Sequence, residues 1–336
     1  MKLLLAIPLL VLASARAELP LSLQENAEPA ILDFQRDGLG LDEIFQDAVH
    51  RRLRGDLDGA AARLAWLETQ PFPEPATLRY QVGLVHEFRG DAEGALAVYD
   101  ALIRDFPGSP EARDGHFRRA LCLEDLDRHR EAKRSLDRIQ VAEGLDFHDR
   151  LTLDIQRGIT LLSSGRVRRG LEILNTTLDA GEGTDEARYL RAKGYVARAR
   201  LWVDEAARID LAVHEKRAVR NLGRRAELLT RAQADVAAAL RLQEPQWALE
   251  GLLILGRGYE GLAQDLLAAP PPRNLNPEQV EVYRQELEKK SRILLAKAWQ
   301  HYDAGLGVAA QLQYEGRPLA ELRAARDALS LDTAPR

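Results

Sequence analysis

The sequence predicts an all-α protein, a solenoid of antiparallel helix pairs with longer helices in its C-terminal half. Three observations predict it. Aromatic residues make up only 6% of the 336 residues while Ala, Leu and Arg abound, a composition that favours helix. Apolar residues recur at helical spacing along most of the chain. Within residues 76–107, Gly83, Gly90, Ala95, Tyr99 and Pro107 fall at positions 8, 15, 20, 24 and 32 of one 34-residue unit, and weaker copies flank it. Small residues at 8 and 20 let two helices approach closely, Gly at 15 turns the chain between them, and Pro at 32 stops the second.

The N-terminus precedes the repeats with a different signal. Lys2, the apolar run Leu3 to Leu12 and Ala15-Arg16-Ala17 have the tripartite pattern of a secretory signal peptide, residues 1–17, cleaved after Ala17. The run is shorter than the ~20 residues that span a bilayer, so no transmembrane anchor is expected after cleavage. The one cysteine, Cys122, is far from the cleavage site, so the chain lacks a lipoprotein cysteine and cannot form an intramolecular disulfide. A periplasmic or secreted location follows. Losing Lys2 and Arg16 takes the formal charge from −5 to −7, and a mildly acidic exported chain gives no reason to expect nucleic acid.

After an extension, 18–40, four units are expected over 41–180, at about 41–75, 76–110, 113–146 and 151–180. Anchored on position 20, they align Ala60, Ala95, Ala132 and Gly170, spaced by 35, 37 and 38 residues. Gly55 turns the first unit and Pro71 and Pro73 end it; Asp127 stands where the third should turn on Gly; Gly165 turns the fourth. Position 4 departs from the pattern, holding Arg79, His116 and Asp154, which implies that the first helices are rotated or that the register is off by one there. From 181 to 313 the units give way to long helices. These are Asp185 to about Val213, Lys216 to about Leu242, Gln246 to Ala268, and one from Pro277, capped by Asn276, to about Gln313. Pro270-Pro271-Pro272 is a rigid stop, and 314–336 hold a short helix from Arg317 and a frayed tail.

The spacing of residues 76–107 resembles the tetratricopeptide repeat. That resemblance implies a right-handed superhelix that binds protein or peptide segments and is not an enzyme. The second half, through Gln246-Trp247-Ala248, Gly256, Tyr259, the proline triplet and Tyr283, looks similar to repeat proteins of delta-proteobacterial envelopes that serve gliding motility or outer-membrane assembly. The resemblance further implies that positions 5 and 9 of each first helix face a concave groove. Here they hold Phe45, Tyr80, Phe117 and Ile155, and Val49, Leu84, Leu121 and Ile159. All eight are apolar, unlike a groove that clamps a terminal carboxylate with Lys, Arg and Asn. The stripe reads either as an apolar trough for an extended peptide or amphipathic helix, or as core.

Motifs for chemistry are weak. Gly256-Arg257-Gly258-Tyr259-Glu260-Gly261 fits a dinucleotide fingerprint but lies in a helical run with no strand before it, so close packing explains it and no cofactor is expected. His86-Glu87 and His214-Glu215 begin a zinc motif, but Gly90 and Ala218 stand where the second histidine belongs, and no metal site is expected. Cys122 has no adjacent base, and His129 is expected to pack beside the turn. Gly181-Glu182-Gly183 would set any anion site against its own acid. Arg217, Arg220 and Arg224 share one helix face that could contact an acidic partner or lipid headgroups, or lie solvated among Glu215 and Glu227. The leading expectation is a scaffold for other envelope proteins. An envelope assembly chaperone and a cell-wall-active enzyme on a helical solenoid are the alternatives.

Overall fold

The computed structural model describes residues 38–139, 145–180, 185–272 and 275–329. The signal peptide, most of the N-terminal extension, the 181–183 loop and the last seven residues lie outside them. The described residues form helices and no strand: α1 Leu41–Leu53, α2 Leu57–Glu68, α3 Pro75–Phe88, α4 Ala92–Asp105, α5 Pro110–Asp125, α6 His129–Asp137, α7 Phe147–Ser163, α8 Val167–Thr177, α9 Asp185–Ala207, α10 Glu215–Arg241, α11 Pro245–Ala268, α12 Pro277–Gln311 and α13 Arg317–Ala328. The all-α helical-repeat class read from the sequence is the observed one. The chain divides between Gly170 and Leu171 into two compact units.

In the first unit each helix from α1 to α6 packs on the next, and α3 also touches α1 and α5. The turn chemistry repeats. Gly55, Gly90 and Gly165 all take positive φ, and so does Asp127 at +57°, so the aspartate fills the conformational slot that its neighbours give to glycine. Asp56 and Asp91 then cap α2 and α4 by accepting from the backbone of Gly59 and Gly94. Close approach explains two further glycines. A Cβ on Gly83 would stand 2.5 Å from the Tyr99 ring, and one on Gly170 would stand 2.9 Å from the carbonyl oxygen of Gly158. That second contact is with backbone, which cannot swing aside, and it accounts for Gly where the other units carry Ala.

The position-4 anomaly also resolves. Arg79 pairs with Asp105 and Asp154 with Arg157, while the preceding residues Leu78 and Leu153 are buried. The core-facing residue of α3 and α7 therefore sits one place earlier, a rotation of about 100° that helical period alone does not resolve.

In the second unit α11 packs against α9, α10, α12 and α13. Its apolar residues run all round, from Ala248 and Leu249 to Leu262 and Leu266, which is the pattern of a helix enclosed by others. Gly256 backs onto the Tyr302 ring and Gly258 onto Val203 and Leu229, so the glycine string is a packing device inside a helix. Helix α9 stops at Ala207, short of the expected Val213. The Asp210 side chain accepts from the Ala212 backbone, its carbonyl accepts from Asn221, and Leu211 turns inward, so a local turn and a buried side chain outcompete helix continuation. Asn276 caps α12 as expected, with Gln279 completing a reciprocal capping box.

Candidate protein-binding surfaces

The eight stripe residues lie on α1, α3, α5 and α7, and six of them are buried: Phe45, Tyr80, Leu84, Phe117, Ile155 and Ile159. Val49 and Leu121 are half-buried. Phe45 joins Leu64, Leu67 and Leu78 in one cluster, its ring 5.1 Å from that of Phe72. Tyr80 and Leu84 join Tyr99, Leu102 and Cys122 in another. Side chains so placed hold helices together and offer little apolar surface to a partner.

Beside the stripe runs a feature that charge patterning hid, a seam of buried polar groups bridging successive first helices. Arg52 on α1 donates through Nε to Gln81 Oε1 on α3 at 3.2 Å, and its guanidinium lies 5.3 Å from the Phe88 ring centroid. Thr77 on α3 donates to Glu111 on α5 at 3.0 Å. Arg118 on α5 reaches back to α3 twice, to Glu87 Oε2 at 3.3 Å and to the Tyr80 hydroxyl at 3.4 Å. On α7, Gln156 donates to Thr160, both fully buried. Arg118 is 8% exposed and paired with Glu87, whereas Arg52, 3% exposed, is held by the neutral Gln81 and leaves its Nη1 without a hydrogen-bond partner among the described residues. The one signal that could have found the seam is the recurrence of long polar residues at the positions following the apolar stripe.

Burial dominates the electrostatics here. It pushes the Glu87 carboxyl above its ordinary range despite Arg118, raises the Tyr80 and Tyr99 phenols, and lifts Asp114 to about 6. Burial likewise drives the Cys122 thiol far upward, which leaves it inert as a nucleophile at neutral pH.

The basic face behaves differently. Arg217, Arg220 and Arg224 on α10 are exposed and make no ion pair among the described residues, while Glu227 pairs with Arg231 instead. Their neighbour Arg225 turns inward to Asp265 at 2.6 Å. His86 is engaged by Asp91, and His129 stands near Glu124 and Asp127. No group of three or more His, Cys, Asp or Glu among the described residues could hold a metal ion, and no described helix is long and apolar enough to cross a membrane.

The tetratricopeptide-repeat family model matches residues 50–110 and again 83–142, the second match starting 33 residues after the first, close to one repeat length. Among solved structures, a tetratricopeptide repeat protein from Parabacteroides merdae is 17% identical, with a TM-score of 0.40, covering 75% of this chain and 98% of its own. One from Bacteroides fragilis is 12% identical, with a TM-score of 0.34, covering 76% of this chain and 97% of its own. No curated protein matches the chain. The stacked helix pairs of residues 50–142, with their turns at Gly55, Gly90 and Asp127, are thus tetratricopeptide repeats, and the family model covers that part of the chain.

Proposed function

We propose that this chain is a non-catalytic scaffold that holds proteins of the cell envelope together after export. The observation that carries the reading is the run of repeats over residues 50–142, because repeats of this superfamily mediate protein–protein interaction. Export rests on the sequence of residues 1–17 and a role in motility or outer-membrane assembly on the resemblance of the second half. With most of the apolar stripe buried, the polar surfaces open to a partner include the exposed face of α1 at Gln46, the C-terminal end of α5 at Asp125 and the basic face of Arg217, Arg220 and Arg224.

Cell fractionation with N-terminal sequencing tests the location: the mature chain should begin at Glu18 and leave the cytoplasm. A chain retained there with Met1 intact would contradict export. Incubation with purified cell wall tests the absence of catalysis, since any released muropeptide would replace the scaffold reading with an enzymatic one.

A further inference from the structure

We infer that the cleft between α4, α5 and α6 is a binding site for a small oxyanion of the phosphate class. The cleft has a volume of about 190 Å³ and is lined by three arginines: Arg119 from α5, Arg134 from α6 and Arg138 at the C-cap of α6. The two acids that also line it are already engaged. Asp100 is held by Arg119 at 2.5 Å, and Glu131 is held by Arg128, outside the cleft, through two hydrogen bonds of 2.8 and 2.9 Å. Arg134 and Arg138 make no ion pair among the described residues. The cleft therefore holds a positive surplus, supplied by two arginines one helical turn apart on the same face of α6.

The floor of the cleft is built. Ser135 is 2% exposed, and its Oγ donates to the backbone carbonyl of His116 at 2.9 Å, which ties α6 to α5 beneath the arginines. The half-buried His116 ring forms one wall, its Nδ1 3.4 Å from the same Oγ. Burial and then the charges of Arg138 and Arg119 lower the His116 pKa, with Asp100 opposing them, so the ring is neutral at pH 7 and senses a positive potential. A tetrahedral dianion suits this arrangement better than a carboxylate does, because more than one arginine lines the same small volume and each planar fork seeks its own acceptor oxygens. The bound anion would also reverse the potential on His116 and favour its protonated ring.

The test follows the His116 ring signals by NMR in the full chain, assigned by loss in His116→Gln, while inorganic phosphate is added at constant ionic strength. Expected are a saturable shift at millimolar phosphate and a rise of His116 pKa by about half a unit or more. Neither effect should appear with chloride, and both should be lost in Arg134→Gln/Arg138→Gln. Arg217→Gln/Arg220→Gln should respond as the parent chain does. Both arginines are exposed, so the fold should survive; should the double variant fail to fold, Arg134→Gln alone must weaken the apparent affinity at least about threefold, roughly the share of one solvent-exposed ion pair. O-Phosphoserine, run in parallel, separates the sources. Tighter binding than inorganic phosphate marks a phosphorylated chain as the ligand, and weaker binding marks the free ion. A linear, unsaturated shift, or one that persists in the arginine variants, would overturn the inference.

Discussion

The Arg118 guanidinium and the Glu87 carboxylate meet at 3.3 Å between α5 and α3, the helices that open two successive pairs. Neither is a surface residue in effect, with side-chain exposures of 9% and 19%. Because Arg118 also donates to Tyr80, it can satisfy both acceptors at only one rotation of α5 against α3. Arg118→Met should therefore cost roughly 3 kcal/mol, leaving Glu87 enclosed without its cation, and Arg118→Met with Glu87→Leu should recover most of the loss. Urea unfolding of the two variants and the parent checks this. A single-variant cost under about 1 kcal/mol would mean that the seam does not hold the stack.

The stripe makes a sharper distinction. Phe117→Ala and Tyr80→Ala should each lose roughly 3 kcal/mol or more, as buried aromatics do. Had these rings lined an open groove, the melting temperature would barely move while partner capture fell. Thermal melts of both variants decide between the two.

Asp114 gives the protein a pH dependence of stability. Its folded-state pKa of about 6 stands above its ordinary value of 3.8 because the carboxyl is buried, and its ion pair with Arg113 at 3.4 Å only partly offsets that. A group raised in this way contributes its full stability below about pH 4 and loses it as pH rises through 6. Asp114→Asn should thus be more stable than the parent at pH 8 by roughly 1–3 kcal/mol, with the gain fading below pH 4. Denaturant midpoints measured at pH 4, 6 and 8 check the sign.

The turns were legible in the sequence and the interior was not. Gly90 and the substituted Asp127 announced a left-handed residue, and Asn276-Pro277 announced a helix start, because each needs a local conformation that few residue types supply. The rotation of α3 and α7 was half legible: Arg79 and Asp154 at an apolar position flagged it, but helical period alone left a rotated helix and a register slip undecided, since Leu78 and Arg79 differ by one step of the helical wheel. The seam escaped for a related reason. Arg52, Glu87 and Arg118 read as solvated charge until the helices that enclose them are in place. The central position of α11 was half visible, its glycines marking close packing without showing which helices approach.

Two backbone substitutions separate conformational from steric demands on the turns and helices. Asp127→Gly should stabilise the first unit by a few tenths of a kcal/mol to about 1 kcal/mol, since φ of +57° suits glycine better. Gly170→Ala should destabilise it by about 1–3 kcal/mol, because the new methyl meets the Gly158 carbonyl. Calorimetric melts should move in opposite directions.

The central claim is that the repeat unit binds protein, and photo-crosslinking in the native cell tests it most directly. With benzoylphenylalanine placed at the exposed positions Gln46 and Asp125, the account predicts discrete adducts of defined mass from a repeat surface that touches a partner. The same partner should be identified by mass spectrometry from both sites and should be lost above the melting temperature of the destabilised Phe117→Ala variant, where the parent chain is still folded. Adducts absent at both positions, or confined to abundant bystanders that persist when that variant is melted, would contradict the claim.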